Sequence, residues 1–427
     1  MSKPKSCVSA LSVAALTSIA LLTAGCDKKK AENQEAKTAT PAAAPMVSEK
    51  TGTPGVTATE IKIGQSTTYS GPVSAYGVIG KTESAYFKMI NDKGGINGRK
   101  INFISLDDGY SPAKAVENVR KLVENEGVAL IFNNLGTAPN VAVQKYLNER
   151  KVPHLFVATG ADRWADREHF PWTIGFQPSY QGEARIYARY LMKEKPNAKL
   201  CVLYQNDDFG KDYLLGLKAG FGDKHDKFVV KTQSYEVTDP TIDSQIVSLQ
   251  SAGCDTLLTA TTPKFAAQSI RKIYDIGWKP LHIMSGVAVS RSAVLIPAGL
   301  EKAVGMISAG YIKDITDPSL ANDAGLNEFR DFAKQYLTGF DLNDGNILYG
   351  FAVAQTLVKV LTQCGDDLSR DNIMKQATNL KNIALGVLGP GIAITTGPSD
   401  YRPLEQVQFG RFNGNNFVTF GDVLTTD

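Results

Sequence analysis

No residue pair in this chain has the spacing of a nucleophile and its base. A hydrolase needs a base beside its nucleophile, and the sequence holds no GxSxG, no HExxH and no Cys–His pairing signal. His154, His169, His225 and His282 are scattered, which argues against a metal site. Of the five cysteines, Cys7 and Cys26 fall in an N-terminal leader. Cys201, Cys254 and Cys364 show no CxxC spacing, and at most one pair of them can bridge. Cys201 and Cys254 each sit near an apolar, strand-like run and read as buried, inert thiols. Lys93–Arg99 has the glycine content of a phosphate-binding loop but lacks the Lys-Ser/Thr ending that holds a nucleotide, so it reads as a structural turn. No cofactor is expected. What remains is hydrogen bonding from loops rich in Gly, Ser, Thr, Asn and aromatics. These are 67–76, 133–140, 159–163, 206–210, 261–264 and 286–290.

Alternating strands and helices must position those loops. Strand signals cover 60–66, 100–107, 128–132 and 152–158, with helical periodicity over 81–93, 111–125 and 138–149. Ser111 and Pro112 suit the N-cap and first position of the second of these helices. The pattern repeats in kind: helix 179–193, strand 199–205, helix 210–220, strand 228–235, helix 243–252, strand 256–260, helix 265–276, strand 281–285. Such alternation means βαβ units and mainly parallel sheets. Two successive sets predict an α/β fold of two doubly wound lobes. Ligands of open α/β sheets bind outside the carboxyl ends of the strands, and that rule selects the six loops.

The first residues give location. Lys3 and Lys5 precede an uncharged apolar stretch, Val8–Ala24, too short for a comfortable membrane span. Leu22-Thr23-Ala24-Gly25-Cys26 then resembles a bacterial lipobox, which makes 1–25 a signal peptide and Cys26 the expected lipidation site. Acyl chains on Cys26 would hold the protein at the periplasmic or cell-surface side of a membrane. Residues 26–57, rich in Ala, Lys, Glu, Thr and Pro, read as a disordered tether. The rest is too long for one ordinary hydrophobic core. A formal charge of +3, without a basic stripe interleaved with aromatics, gives no case for nucleic acid. The membrane contact expected is the lipid anchor alone.

From about Gly55 to the C-terminus the chain resembles the periplasmic solute-binding proteins of the leucine/isoleucine/valine type, which serve ABC uptake transporters. The matching pieces are Ile63-Gly64, Ser70-Gly71-Pro72, Tyr76-Gly77, Lys93–Arg99, Asp107-Asp108, Val152-Pro153, Ala158-Thr159, Asn206–Gly210 and Tyr349-Gly350, in order. The resemblance implies two lobes joined by three crossovers, with the ligand cleft between them. Lobe 1 would be 58–178 and 312–402, and lobe 2 would be 179–311 and 403–427. It implies an aromatic wall at Tyr76, and a carboxylate grip at Gly136, Thr137, Ala158 and Thr159. A Thr hydroxyl with free N–H groups at a helix start can hold an anion without a buried cation. It implies no catalysis, and as partners an ABC permease with its ATPases.

Three positions depart from the family. Phe209 stands for a Tyr and keeps the ring without the hydroxyl. Thr262, before Pro263, also stands for a Tyr. Val287 stands for the Glu that pairs with an amino-acid ammonium, and no Glu lies between Met284 and Leu300. A buried ammonium without a carboxylate costs several kcal/mol or sheds its proton. The expected ligand is therefore a small organic carboxylate with an apolar or aromatic body. The alternatives are a branched-chain or other hydrophobic amino acid, or an amide or urea in a sensor role. Asp162-Arg163-Trp164 reads as charge-rich, solvated loop, with Arg163 a minor candidate for the carboxylate. Trp172 and Trp278 read as packing residues.

Overall fold

The computed structural model describes residues 52–426. The segments expected to be a signal peptide and a tether, with Cys26, lie outside the described residues as far as Thr51. Twelve strands form two sheets among the described residues. They are β1 (Glu60–Thr67), β2 (Lys100–Asp107), β3 (Leu130–Phe132), β4 (His154–Val157), β5 (Thr173–Gly175), β6 (Leu200–Gln205), β7 (Val229–Tyr235), β8 (Thr256–Ala260), β9 (Leu281–Met284), β10 (Ile307–Gly310), β11 (Gln406–Phe412) and β12 (Phe417–Thr425). The helices are α1 (Gly77–Asp92), α2 (Pro112–Arg120), α3 (Thr137–Glu149), α4 (Tyr180–Glu194), α5 (Asp208–Phe221), α6 (His225–Phe228), α7 (Asp243–Ser251), α8 (Pro263–Asp275), α9 (Ile296–Ala298), α10 (Ala324–Tyr336), α11 (Gly345–Gln363) and α12 (Arg370–Ala377).

The first sheet has the order β2-β1-β3-β4-β5 and is parallel throughout. The second runs β12-β11-β10-β9-β8-β6-β7, parallel from β7 to β10 and antiparallel at β11 and β12. Strands β3, β4 and β8 are buried along their whole length, as sheets covered on both faces require. Their continuous apolar runs come from that double burial. After β10 the chain returns to the first sheet, where residues of α10, α11 and α12 join the hydrophobic cluster of β1 and α1. After Leu404 it goes back to the second sheet as β11 and β12.

Local signals explain the helix starts. Ser111 accepts from Lys114 N and Pro112 follows it, as the sequence predicts. Ser179 and Asp207 cap α4 and α5 through Gly182 N and Gly210 N.

Several expectations are corrected. The helix expected over 111–125 is α-helical only to Arg120 and ends as a π-turn over Lys121–Asn125. Strand β5 has no counterpart in the sequence reading, because three residues carry no periodicity. The end of the expected tether is ordered: Val56 packs on the first cluster and bridges Ile61, and Lys62 N donates to Gly55 O at 2.7 Å. Cys201 and Cys254 are a disulfide, not free thiols. Neighbouring parallel strands bring them together, with Leu200 of β6 opposite Thr256 of β8 and a Cα separation of 5.8 Å for the cysteines. Cys364 is the buried free thiol. Trp164 is buried in the second cluster, so its loop is only partly solvated. Trp172 and Trp278 pack against hydrophobic clusters.

Candidate ligand-binding cleft

The carboxyl ends of β1, β3, β4, β6, β8 and β9 run directly into the six loops chosen from sequence. Those loops meet around one cavity of about 350 Å³. Tyr76, Gly136, Thr137, Ala158, Thr159, Phe209, Thr262 and Val287 all line it. The first five come from the first sheet's loops and the other three from the second's.

The first-sheet side is built to donate hydrogen bonds. Gly136 is the N-cap of α3 and offers no side chain to its first turn. The N–H groups of a helix's first turn lack partners within the helix, and here Thr137 and Ala138 carry them. The Thr137 and Thr159 hydroxyl oxygens are 2.5 Å apart. One of the two donates to the other, and Thr159 also hydrogen-bonds the Tyr180 hydroxyl, so a ligand oxygen here would join a Thr137–Thr159–Tyr180 chain. Gly136 sits at φ 92°, and a Cβ there would lie 2.3 Å from the ring of Tyr110. Only glycine lets the backbone pass under that ring. Tyr110 itself has φ 64°, held by Asp108, whose carboxylate accepts from Tyr110 N at 2.8 Å.

The second-sheet side is largely self-satisfied. Asp207 caps α5 and also accepts from Gln205 Nε2 at 2.7 Å. Phe209, on the first turn, packs its ring 4.9 Å from that of Tyr180. Thr262 precedes Pro263 at the start of α8, and its N–H donates to Tyr235 Oη at 3.0 Å. Beneath the Val287 loop lies Glu183, whose carboxylate accepts from Gly286 N at 2.9 Å and Tyr187 Oη at 2.5 Å. Burial raises the Glu183 carboxyl to about 7 and that of Asp207 to about 6. Both acids are thus committed to protein donors behind the wall.

The two sides are joined. Tyr76 Oη donates to Val287 O at 2.8 Å, Gln205 Nε2 donates to Tyr110 Oη at 3.3 Å, and Ser290 Oγ donates to Asp344 at 2.8 Å. Arg163 does not reach the cavity. It is engaged by Gln144 and Asp208, at 3.0 Å each.

Sequence reasoning missed six further wall residues with rings: Phe412, Phe417 and the four tyrosines Tyr110, Tyr180, Tyr311 and Tyr349. Burial pushes the hydroxyl of each of the four tyrosines upward, so all four stay neutral. Tyr349 was visible only as part of a Tyr-Gly match, and Asn133 donates to its hydroxyl at 2.9 Å. Tyr311 follows β10, in the segment that joins the two sheets, where no periodicity marks it.

The acids that do line the cavity, Asp314 and Asp317, lie beyond β10. Asp314 accepts from Phe417 N at 2.9 Å, and Asp317 from Ser319 N at 2.8 Å. Among the described residues no cluster of metal-ligating side chains occurs.

A family model described as periplasmic binding protein matches residues 60–416. Leu/Ile/Val-binding protein homolog 7 of Brucella suis biovar 1 is 24% identical over 363 residues, covering 78% of this chain and 84% of its own. Two solved structures share the fold. One is a branched chain amino acid ABC transporter from Thermus thermophilus with bound valine. Its TM-score is 0.76 at 16% identity, covering 86% of this chain and 96% of that one. The other is a fatty acid ABC transporter substrate-binding protein from Thermomonospora curvata. Its TM-score is 0.72 at 21% identity, covering 87% of this chain and 94% of that one.

Proposed function

We propose, from the premise that this chain belongs to the periplasmic binding protein family, leucine/isoleucine/valine-binding type, that it captures a small organic carboxylate with an apolar or aromatic body and hands it to an ABC permease and its ATPases. The observation that carries this reading is the uncapped start of α3 beside the Thr137–Thr159 hydroxyl pair, at the edge of a cavity walled by aromatic rings. The lobes are taken as 58–178 with 312–402, and 179–311 with 403–427. Hinge closure of one on the other would bury the ligand. The role is non-catalytic and extracytoplasmic, with Cys26 as the lipid anchor.

A second reading, a branched-chain amino acid, is favoured by the relative named for leucine, isoleucine and valine and by the neighbour solved with valine. Against it stands the chemistry of the second-sheet side. Val287 occupies the ammonium position, and Glu183 and Asp207 are held by protein donors. The ligands that the relatives' names carry, valine and fatty acid among them, share a carboxylate and an apolar body.

Calorimetry separates the readings. 4-Methylpentanoate should bind more tightly than leucine, which has the same carbon skeleton plus an ammonium. Thr159→Ala should weaken the carboxylate by about 1–3 kcal/mol, the cost of an unmet buried partner. Tighter binding of leucine would establish the second reading. An unchanged dissociation constant in Thr159→Ala would remove Thr159 from the site.

A further inference from the structure

We propose that the cavity has a second arm that receives the extended hydrocarbon body of the ligand, and that Gly310 keeps the arm open; this rests on the carboxylate reading above. The cavity does not end at the residues that grip and wall a small ligand. It continues past Gly310, at the end of β10, between segment 311–320 and the phenylalanines of β11 and β12. Ile312, Ile315, Leu320, Leu295, Phe412 and Phe417 are its apolar walls.

Charged side chains line this arm too, but each is engaged within the protein. Lys313 Nζ donates to Asp323 at 2.8 Å, Arg291 Nη1 to Asn415 O at 2.8 Å, and Asp314 accepts from Phe417 N at 2.9 Å. A hydrocarbon chain entering the arm breaks none of these. The volume agrees. The cavity measures about 350 Å³, against roughly 10–15 Å³ for one water on the same scale. That is room for many more atoms than a carboxylate and a short side chain supply.

Gly310 marks the path. The fold explains the glycines at the other end: a Cβ at Gly136 would meet Tyr110 at 2.3 Å, and one at Gly286 would meet Ala309 O at 2.5 Å. At Gly310 a Cβ meets no atom within 4 Å, and its φ lies outside the left-handed region. Neither packing nor backbone demands glycine there. Gly310 is exposed and lines the cavity, so a large side chain there has open space to lean across the arm.

The test is calorimetry of the full chain with straight-chain carboxylates from butanoate to octanoate, against wild type, Gly310→Ala and Gly310→Phe. Wild-type affinity should rise about fourfold per added methylene, the value of burying each CH₂. Gly310→Phe should hold butanoate within about twofold and lose octanoate by at least tenfold, with Gly310→Ala between the two. Retained butanoate binding shows that Gly310→Phe is folded. A wild-type affinity indifferent to chain length, or equal weakening of every length by Gly310→Phe, overturns the arm and leaves the carboxylate reading standing. If no member of the series binds wild type, the carboxylate reading falls and this inference with it.

Discussion

Among the helices that start at the cavity, α3 and α5 treat negative charge in opposite ways. At α5, on the second-sheet side, Asp207 fills the N-cap and its carboxylate takes Gly210 N. At α3, on the first-sheet side, Gly136 fills the same position and supplies nothing. Both helix starts are partly positive by virtue of aligned peptide dipoles. One spends that on its own chain, and the other leaves it for a visitor. Under the proposed function, the carboxylate of a ligand goes to α3 and the Thr137–Thr159 pair. That leaves the ring of Phe209 on α5 as an apolar wall.

The largest effect should come from erasing that difference. Thr137→Asp puts a carboxylate on the first turn of α3, where it would take the free N–H groups and repel an incoming anion. Like charges brought together at a binding site cost several kcal/mol. Binding of 4-methylpentanoate should weaken by at least about 100-fold in calorimetry, with the melting temperature kept or raised by the new cap. Wild-type affinity in Thr137→Asp would show that the anion sits elsewhere.

Gly136, Thr137, Ala158 and Thr159 were legible only through the family resemblance, and all eight candidate residues do line one cavity. The alternation of strands and helices also located the six loops, because apolar runs of the β3 and β8 kind have no surface reading. What escaped was assembled across long separations. Glu183 lies on α4 and holds Gly286, more than a hundred positions away, and nothing in Tyr180–Glu194 distinguishes that carboxylate from a surface one. The Cys201–Cys254 bridge escaped because strand register, not spacing, sets it. Tyr110, Tyr180 and Tyr311 reached the cavity through turns whose φ angles and exits no periodicity encodes.

Glu183 sharpens the comparison, because an acid committed to the wall should matter for folding more than for the ligand. Burial raises its carboxyl from 4.5 to about 7. A raised carboxyl means the folded state binds the proton more tightly than the unfolded chain does. The stabilising effect of that proton is therefore fully present below about pH 4.5 and is lost as pH rises through about 7. Over that window the loss is on the order of 3 kcal/mol, since each pH unit between the unfolded and folded titrations is worth about 1.4 kcal/mol. Glu183→Gln has no such proton to lose and can still accept from Gly286 N. Its melting temperature relative to wild type should climb between pH 4.5 and 7, while 4-methylpentanoate affinity changes less than about threefold. Parallel melting curves across that range would refute the ionisation argument. A large loss of affinity would make Glu183 part of the ligand's surroundings after all.

The smallest effect concerns what joins the two sides. Tyr76 Oη donates to Val287 O, a contact made by a first-sheet loop on the loop that follows β9. Burial pushes the Tyr76 hydroxyl well above its ordinary range, so it remains a neutral donor through the working pH. Because both partners belong to the protein, the bond would favour the proposed hinge closure whether or not a ligand is present. A ligand then has less closing left to drive, and its apparent affinity rises with the closed population. Tyr76→Phe keeps the ring as a wall and deletes the bond, which is worth about 0.5–1.5 kcal/mol. Affinity for 4-methylpentanoate should fall by about 2- to 12-fold, mostly as faster release. Small-angle scattering of the free protein should report a larger radius of gyration in the variant. If scattering is unchanged and affinity falls, the hydroxyl serves the ligand directly and the latch is not what joins the two sides.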